Sequence, residues 1–205
     1  MKRLLDLILV LLSAPLWVPV GLLTALLVAR RLGRPVLFIQ TRAGLQGRPF
    51  RIYKFRSMTD ARDTEGHLLP AEDRLTPFGR KLRQTSLDEI PQLLNVLKGD
   101  MSLIGPRPLL PEYNDRYSPE QRRRLEVRPG VSGWAQVKGR NRLSWDERFA
   151  LDVYYVQNHS LWFDVKIILM TLSLMLKRGG GVEPEGAAIM EEFRGATNHD
   201  HRNDD

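Results

Sequence analysis

A chain of 205 residues with a formal charge of +7 and no cysteine is long enough for one domain with a real core and hardly long enough for two. Without thiols, neither a disulfide scaffold nor a thiolate metal site can form. The charge is uneven: the residues from Gly179 onward carry a net −5, which leaves +12 on residues 1–178, so the body suits anionic partners such as nucleic acid, acidic lipid or a phosphorylated substrate.

A nucleic-acid binder has no use for the N-terminus, and that option is set aside there. Leu7 to Ala29 is an uncharged run of 23 residues, preceded by Lys2-Arg3 and followed by Arg30-Arg31 and Arg34. As a straight helix it would rise roughly 34 Å, enough to cross a hydrocarbon core of about 30 Å. No small-residue cleavage site follows it, which argues against a signal peptide. Two features argue against a simple span. Basic residues flank both ends, whereas a spanning helix keeps them mainly on its cytoplasmic side. Pro15 and Pro19 lie one turn apart mid-run, and each removes a backbone donor and crowds the carbonyl four residues earlier. An arm from Leu7 to Val18 is only about 18 Å long. A kinked helix that enters one leaflet and returns would keep both basic flanks beside anionic head groups. Span and dip both fit these residues.

Val36 to Thr41 and Pro49 to Phe55 are rich in β-formers and predict a short hairpin around Gly44 to Gly47. Residues 60–72 are polar and read as a mobile loop. Helical patterns follow at about 77–84, 87–98, 118–126 and 145–157, with Gly99 as a C-terminal cap of the second. Glycine and proline at Gly105-Pro106-Arg107-Pro108 and Arg128-Pro129-Gly130 predict ordered turns. Leu161 to Leu176 is apolar but contains Asp164 and Lys166. It is too short and too charged to span, and reads either as an interfacial helix or as a buried one. The tail from Gly179 ends in a polar, acidic run and is expected to be disordered at its end.

Asp88-Glu89 is the pair that could carry chemistry. Adjacent carboxylates repel, so a site that ionises both usually supplies a cation or nearby bases. Arg80, Lys81 and Arg83 precede the pair, and oxygen ligands suit a hard divalent ion. One carboxylate could hold the metal while the other attacks phosphorus. The plainer reading is a capping box, Ser86-Leu87-Asp88-Glu89, at a helix start. Arg107, Arg128, Lys138, Arg140 and Arg142 sit in glycine- and proline-rich turns, and Lys54 and Arg56 end the second strand; such bases fit phosphate binding without proving it. Arg122-Arg123-Arg124 reads as a solvated or lipid-facing helix edge. There is no P-loop or dinucleotide fingerprint, and no histidine pair with metal-ligand spacing.

Five strings in order, Ile52-Tyr53-Lys54-Phe55-Arg56-Ser57-Met58, Ser86 to Leu93, Asn95 to Ser102, Gly105 to Pro108 and Arg128 to Val137, resemble the bacterial sugar transferase family. The resemblance runs across nearly all of residues 1–178 and is to its small monotopic phosphoglycosyl transferases, of the undecaprenyl phosphate N,N'-diacetylbacillosamine 1-phosphate transferase type. It implies an α+β, mostly helical fold: a re-entrant membrane helix over 1–29, a catalytic core over 30–178 continuous with it, and a tail over 179–205. It also implies a mechanism at the cytoplasmic face of the inner membrane. Asp88 attacks the β-phosphate of a UDP-sugar and expels UMP, Glu89 binds Mg²⁺ together with Asp88, and a polyprenyl phosphate then takes the phosphosugar. Lys54, Arg83, Arg107 and Arg140 match family bases around the phosphates. Pro15 and Pro19 become the helix break, although small members often place serine before the proline and here Val18 precedes Pro19. The sugar implied for small members is an acetamido sugar such as diacetylbacillosamine.

Overall fold

The computed structural model describes residues 1–139, 143–177 and 192–195; the expected disorder at the end of the tail concerns residues outside them. The N-terminal run folds as two helices, α1 (Lys2–Leu12) and α2 (Ala14–Leu32), broken at Ser13. The break therefore lies at Ser13 rather than at Val18-Pro19: Pro15 occupies the first turn of α2, and α2 continues through Pro19. The chemistry of Ser13 explains the position. The Val10 carbonyl, which loses its helical amide at the break, accepts instead from the Ser13 hydroxyl at 3.2 Å and from the Trp17 indole at 3.0 Å, so it regains partners. Valine has no group to offer at position 18.

Both ends of this helix pair dock on one body. In α1, buried Asp6 accepts from the Ser102 hydroxyl at 2.8 Å and from Leu103 N at 3.2 Å, Arg3 donates to the Val96 and Leu97 carbonyls, and Lys2 pairs with Asp164. Lys2 and Arg3 are thus engaged by protein rather than left for head groups. In α2, Val28 is buried with Phe55 and Leu82. Between the docked ends the helices expose Leu11, Leu12, Leu16, Leu22, Leu23 and Leu26. By length and composition α2 is apolar enough to cross a membrane.

The hairpin is β1 (Leu37–Ala43) against β2 (Pro49–Phe55), antiparallel, with Leu37 opposite Phe55 and Ala43 opposite Pro49; it runs two residues beyond the expected Thr41. Residues 60–72 contain order of their own, with a bridge between Arg62 and Leu68. Two short helices follow, α3 (Ala71–Arg74) and α4 (Pro77–Gln84), the latter capped by the Thr76 hydroxyl. The expected helix over 87–98 is divided. A 3₁₀ turn spans Leu87–Glu89, and α5 spans Gln92–Lys98, because Pro91 cannot supply the amide that a continuous helix would need. Gly99 caps α5 at φ 94°. Asn95, wholly buried, accepts from Tyr53 N at 3.1 Å and donates to the Arg51 carbonyl at 2.7 Å, which fastens α5 to the open edge of β2.

A second strand pair has no signal in the sequence: β3 (Ser102–Ile104) lies parallel to β4 (Gly130–Ser132). It is made possible by close backbone approach, since a Cβ on Gly105 would stand 2.3 Å from the Arg128 carbonyl oxygen and one on Gly130 2.1 Å from Gly105 N. The pair brackets the Gly105-Pro106-Arg107-Pro108 turn. Residues expected as one helix over 118–126 form α6 (Pro119–Arg122) and a 3₁₀ turn, Arg123–Glu126. After α7 (Trp134–Lys138), α8 (Trp145–Asn158) and α9 (Leu161–Lys177) close the body. The Tyr155 hydroxyl donates to Asp164 at 2.6 Å and lies 3.2 Å from the Ile104 carbonyl. Helix α9 is buried on one side through Ile167, while Trp162 is 79% exposed and Leu169 and Leu172 are exposed beside it. The two readings of this segment therefore each describe one face. Phe193, from the tail, is buried among Tyr113, Tyr117, Trp145 and Phe149.

Arg124 corrects the reading of 122–124 as a solvated or lipid-facing edge. It is 2% exposed; its Nε and Nη2 donate to Asp152 Oδ2 at 3.0 and 2.8 Å, its Nη1 to the Tyr117 hydroxyl at 3.2 Å, and Nη2 also to the Arg107 carbonyl at 2.7 Å. The turn from α6 rotates it inward, which a charge run in sequence does not reveal. Breaking one side of such a pair strands a buried charge, so Arg124→Ala is expected to destabilise by about 3–5 kcal/mol. Thermal unfolding of the purified protein should show a midpoint lower by about 10 °C; an unchanged midpoint would contradict this account.

Candidate active site

A cleft of about 650 Å³ opens between the hairpin, the 3₁₀ turn and the inner face of α8. Its floor is one face of the hairpin. Phe38, Gln40 and Arg42 alternate along β1 and Lys54 stands opposite Phe38, so all four point into the cleft. The 3₁₀ turn enters from one wall. Ser86 opens it in a left-handed conformation at φ 57° and makes no side-chain cap, so the capping box does not form. Glu89 is freed for the cleft, and Asp88 is 7% exposed within it. The α-helix expected to start at the pair begins only at Gln92.

Glu89 is the anchor. Its Oε1 accepts from Lys54 Nζ at 2.8 Å and from Arg107 Nη2 at 3.0 Å. Burial alone would raise its carboxyl, but the charges of Arg107 and Lys54, reinforced by these hydrogen bonds, hold it well below the usual carboxylate range. Asp88 goes the other way. Burial first, and the neighbouring Glu89 charge second, push its carboxyl up to about 6 against the pull of Lys54, Arg107 and Arg83. Two adjacent carboxylates with ionisation driven apart is a pattern that fits division of labour at a site. Burial and the Arg107 charge lower the Lys54 ammonium from its ordinary value.

Of the bases singled out in sequence, Lys54, Arg83 and Arg107 converge on the dyad. Arg83 donates from Nε to the Ser57 hydroxyl at 2.9 Å and contributes its charge beside Asp88. Arg140 and Arg142 lie outside the described residues. Arg128 instead donates to the Gly99 carbonyl at 2.9 Å, and Lys138 sits over the Trp134 ring; both serve packing. Arg56 lines the cleft and is tied to Asp60 and to the Arg34 carbonyl. Sequence reasoning missed Arg42, Arg148 and Asp152, all of which line the same cleft. The period-two face of β1 could have flagged Arg42, and the i, i+4 spacing of Arg148 and Asp152 places both on one side of α8; nothing local distinguishes them from surface charges.

For a divalent cation the donors available are the Asp88 carboxylate and the second oxygen of Glu89. No group of three or more His, Asp or Glu that could hold a metal occurs among the described residues. The pair fits an ion such as Mg²⁺, which takes one or two carboxylates and completes its shell with phosphate oxygens and water.

A family model described as bacterial sugar transferase matches residues 1–178. The chain is 51% identical over 175 residues to the uncharacterized sugar transferase EpsL of Bacillus subtilis, covering 85% of this chain and 86% of that one. It is 44% identical over 185 residues to the UDP-glucose:undecaprenyl-phosphate glucose-1-phosphate transferase of Caulobacter vibrioides, covering 85% and 69%. It is 42% identical over 183 residues to the UDP-N-acetylgalactosamine-undecaprenyl-phosphate N-acetylgalactosaminephosphotransferase of Aeromonas hydrophila, covering 85% of this chain and 43% of that longer protein. With a family model aligned from the first residue of α1 to the end of α9, and a carboxylate pair set in a cationic cleft, the chain belongs to the bacterial sugar transferase family.

Proposed function

We propose that this protein is a phosphoglycosyl transferase, moving a sugar 1-phosphate from a UDP-sugar to polyprenyl phosphate through a covalent intermediate on Asp88. The observation that carries the reading is the asymmetry of the dyad: Glu89 is held by Lys54 and Arg107, while no hydrogen bond from the described residues engages the Asp88 carboxylate. Asp88 keeps its oxygens for phosphorus, and Glu89 keeps two cations in place beside it. The names of relatives carry glucose, N-acetylgalactosamine and galactose. The sugar is thus the variable part and phosphoryl transfer to undecaprenyl phosphate the constant one.

In the first step an Asp88 oxygen bonds to the β-phosphorus of the donor and the bridging oxygen leaves with its electron pair on UMP. Lys54 and Arg107 stand where charge spreads over the phosphoryl oxygens, and being fixed by Glu89 they need no reorganisation as it develops. In the second step a phosphate oxygen of polyprenyl phosphate attacks the same phosphorus, the bond to Asp88 breaks, and the carboxylate is restored. A magnesium ion held by Asp88 and Glu89 would add neutralising charge for the same oxygens. Burial of the dyad keeps water from competing with the lipid acceptor.

We also propose that the helix pair α1–α2 enters one leaflet and returns, on the cytoplasmic face of the bacterial inner membrane. Docking of both Lys2–Asp6 and Val28 on one body supports this, as do the exposed leucines between them and the exposed Trp162 edge of α9.

Asp88→Asn is expected to lower transfer by about three orders of magnitude or more. It should also abolish the added mass of one phosphosugar, which intact-mass spectrometry detects when wild-type protein meets donor without lipid acceptor. Transfer by the variant near the wild-type rate would refute the covalent route. A panel of UDP-sugars scored for UMP release identifies the donor.

The ionisation of Asp88 offers a second test. A carboxyl raised by burial and a like charge stays protonated to higher pH, so in metal-free protein its carbonyl signal should titrate with a midpoint near 6 instead of near 3.8. The attacking form is lost as pH falls through that value. A midpoint below about 4 would show that the cleft does not desolvate this group.

A further inference from the structure

The cleft holds a second group of cations that the dyad does not use. The charges acting on Asp88 come from Glu89, Lys54, Arg107 and Arg83. Those acting on Arg42 come from Arg107, Tyr113 and Glu112, and those on Arg148 from Arg107, Asp152 and Arg124. Geometry joins the two groups through Arg107: its Nη2 donates to Glu89, and its carbonyl accepts from Arg124, which holds Asp152 one turn along α8 from Arg148, while Arg42 stands four residues along β1 from Phe38, the partner of Lys54. Arg42, Arg107 and Arg148 line one cleft. Arg148 is only 8% exposed although it faces this space, and its guanidinium lies over the Trp145 ring at 5.1 Å, itself wedged against Phe149 and Phe193. Arg42 is braced by Gln40, which accepts from its Nη2 at 2.6 Å. Asp152, the carboxylate beside Arg148, is shared with Arg124. Gathering like charges in a half-buried cleft costs energy, and burial together with the Arg107 charge lowers both Arg42 and Arg148 from their ordinary values. An anion of matching shape relieves that cost.

In-line displacement says which anion this is. The attacking oxygen, the phosphorus and the leaving oxygen are roughly collinear, so with the β-phosphate beside Asp88 the second phosphate of the donor lies on the far side of it. Beyond Arg107 and away from Lys54 along the hairpin, the cleft is lined by Arg42 on β1 and Arg148 on α8. We propose that Arg42 and Arg148 form the subsite for the phosphate of the departing nucleoside monophosphate, with Arg107 bridging the two phosphates of the donor. This rests on the phosphoglycosyl transfer reading above. As the bridging P–O bond breaks, its electron pair stays on the nucleotide oxygen and no proton is needed. The phosphate that departs gains a negative charge, and two guanidiniums already fixed by Trp145 and Gln40 stabilise it without rearranging. The same pair could instead hold the phosphate of the lipid acceptor, and the two sources predict different losses.

The test uses the full chain in nanodiscs, with UMP and uridine as calorimetric probes and polyprenyl phosphate as acceptor. Arg42→Gln and Arg148→Gln are each expected to weaken UMP binding by about tenfold or more while leaving uridine within about twofold. Adduct formation from the donor should slow, while the KM for polyprenyl phosphate stays at its wild-type value. Arg42→Lys and Arg148→Lys keep the charge and lose the fork; they guard against a misfolded glutamine variant and should show an intermediate loss. UMP affinity unchanged in all four variants overturns the assignment, and so does a loss that falls on the acceptor KM instead. Failure of the underlying reading looks different: wild-type protein would then form no phosphosugar adduct at all, whatever its affinity for UMP.

Discussion

Two adjacent carboxylates set in a half-buried cleft repel each other and resist ionisation, and this protein resolves the conflict by fastening one of them. Lys54 and Arg107 converge on a single oxygen of Glu89. That contact fixes the Glu89 charge, and burial, with this fixed charge second, raises the neighbouring Asp88. It also holds two cations beside the point where a phosphoryl group would sit. Much of the remaining architecture serves to bring Lys54, at the end of a strand, and Arg107, in a turn 53 residues later in the sequence, to the same oxygen.

Each of the two cations has its own support. Lys54 lies on β2, whose edge is fastened to α5 by buried Asn95; the strand and the helix that follows the dyad are therefore one unit. Arg107 lies in a turn bracketed by the parallel pair β3 and β4, where Gly105 and Gly130 allow backbones to meet at distances no side chain would permit. Arg124 then holds the Arg107 carbonyl from behind while Asp152 satisfies its charge. A buried ion pair gives modest net stability. Here it also ties α8, which carries Arg148, to the turn that carries Arg107, so the cleft walls keep a common frame.

The N-terminal helices obey a different constraint. Their leucines face outward while Asp6, Arg3 and Lys2 turn inward to β3, α5 and α9. An apolar surface attached at both ends to a cationic body suits a protein that meets a lipid phosphate at the membrane surface.

Much was legible in the residues alone. The apolar run, the hairpin, the cap at Gly99 and the Asp88-Glu89 pair all follow from residue type and short-range period, because sterics and backbone hydrogen bonding act over a few residues. What the sequence left undecided was pairing at a distance. Ser86-Leu87-Asp88-Glu89 reads as a cap, yet Glu89 finds stronger partners in Lys54 and Arg107. Arg124 reads as part of a surface run, yet it is buried with Asp152. Arg42 and Arg148 read as surface charges and come to one cleft only in the fold. At the Ser13 break the freed Val10 carbonyl is satisfied by the Ser13 hydroxyl and by Trp17, seven residues away. Local pattern determines which elements form; which charges neutralise one another depends on separation in space, and that only the tertiary structure decided.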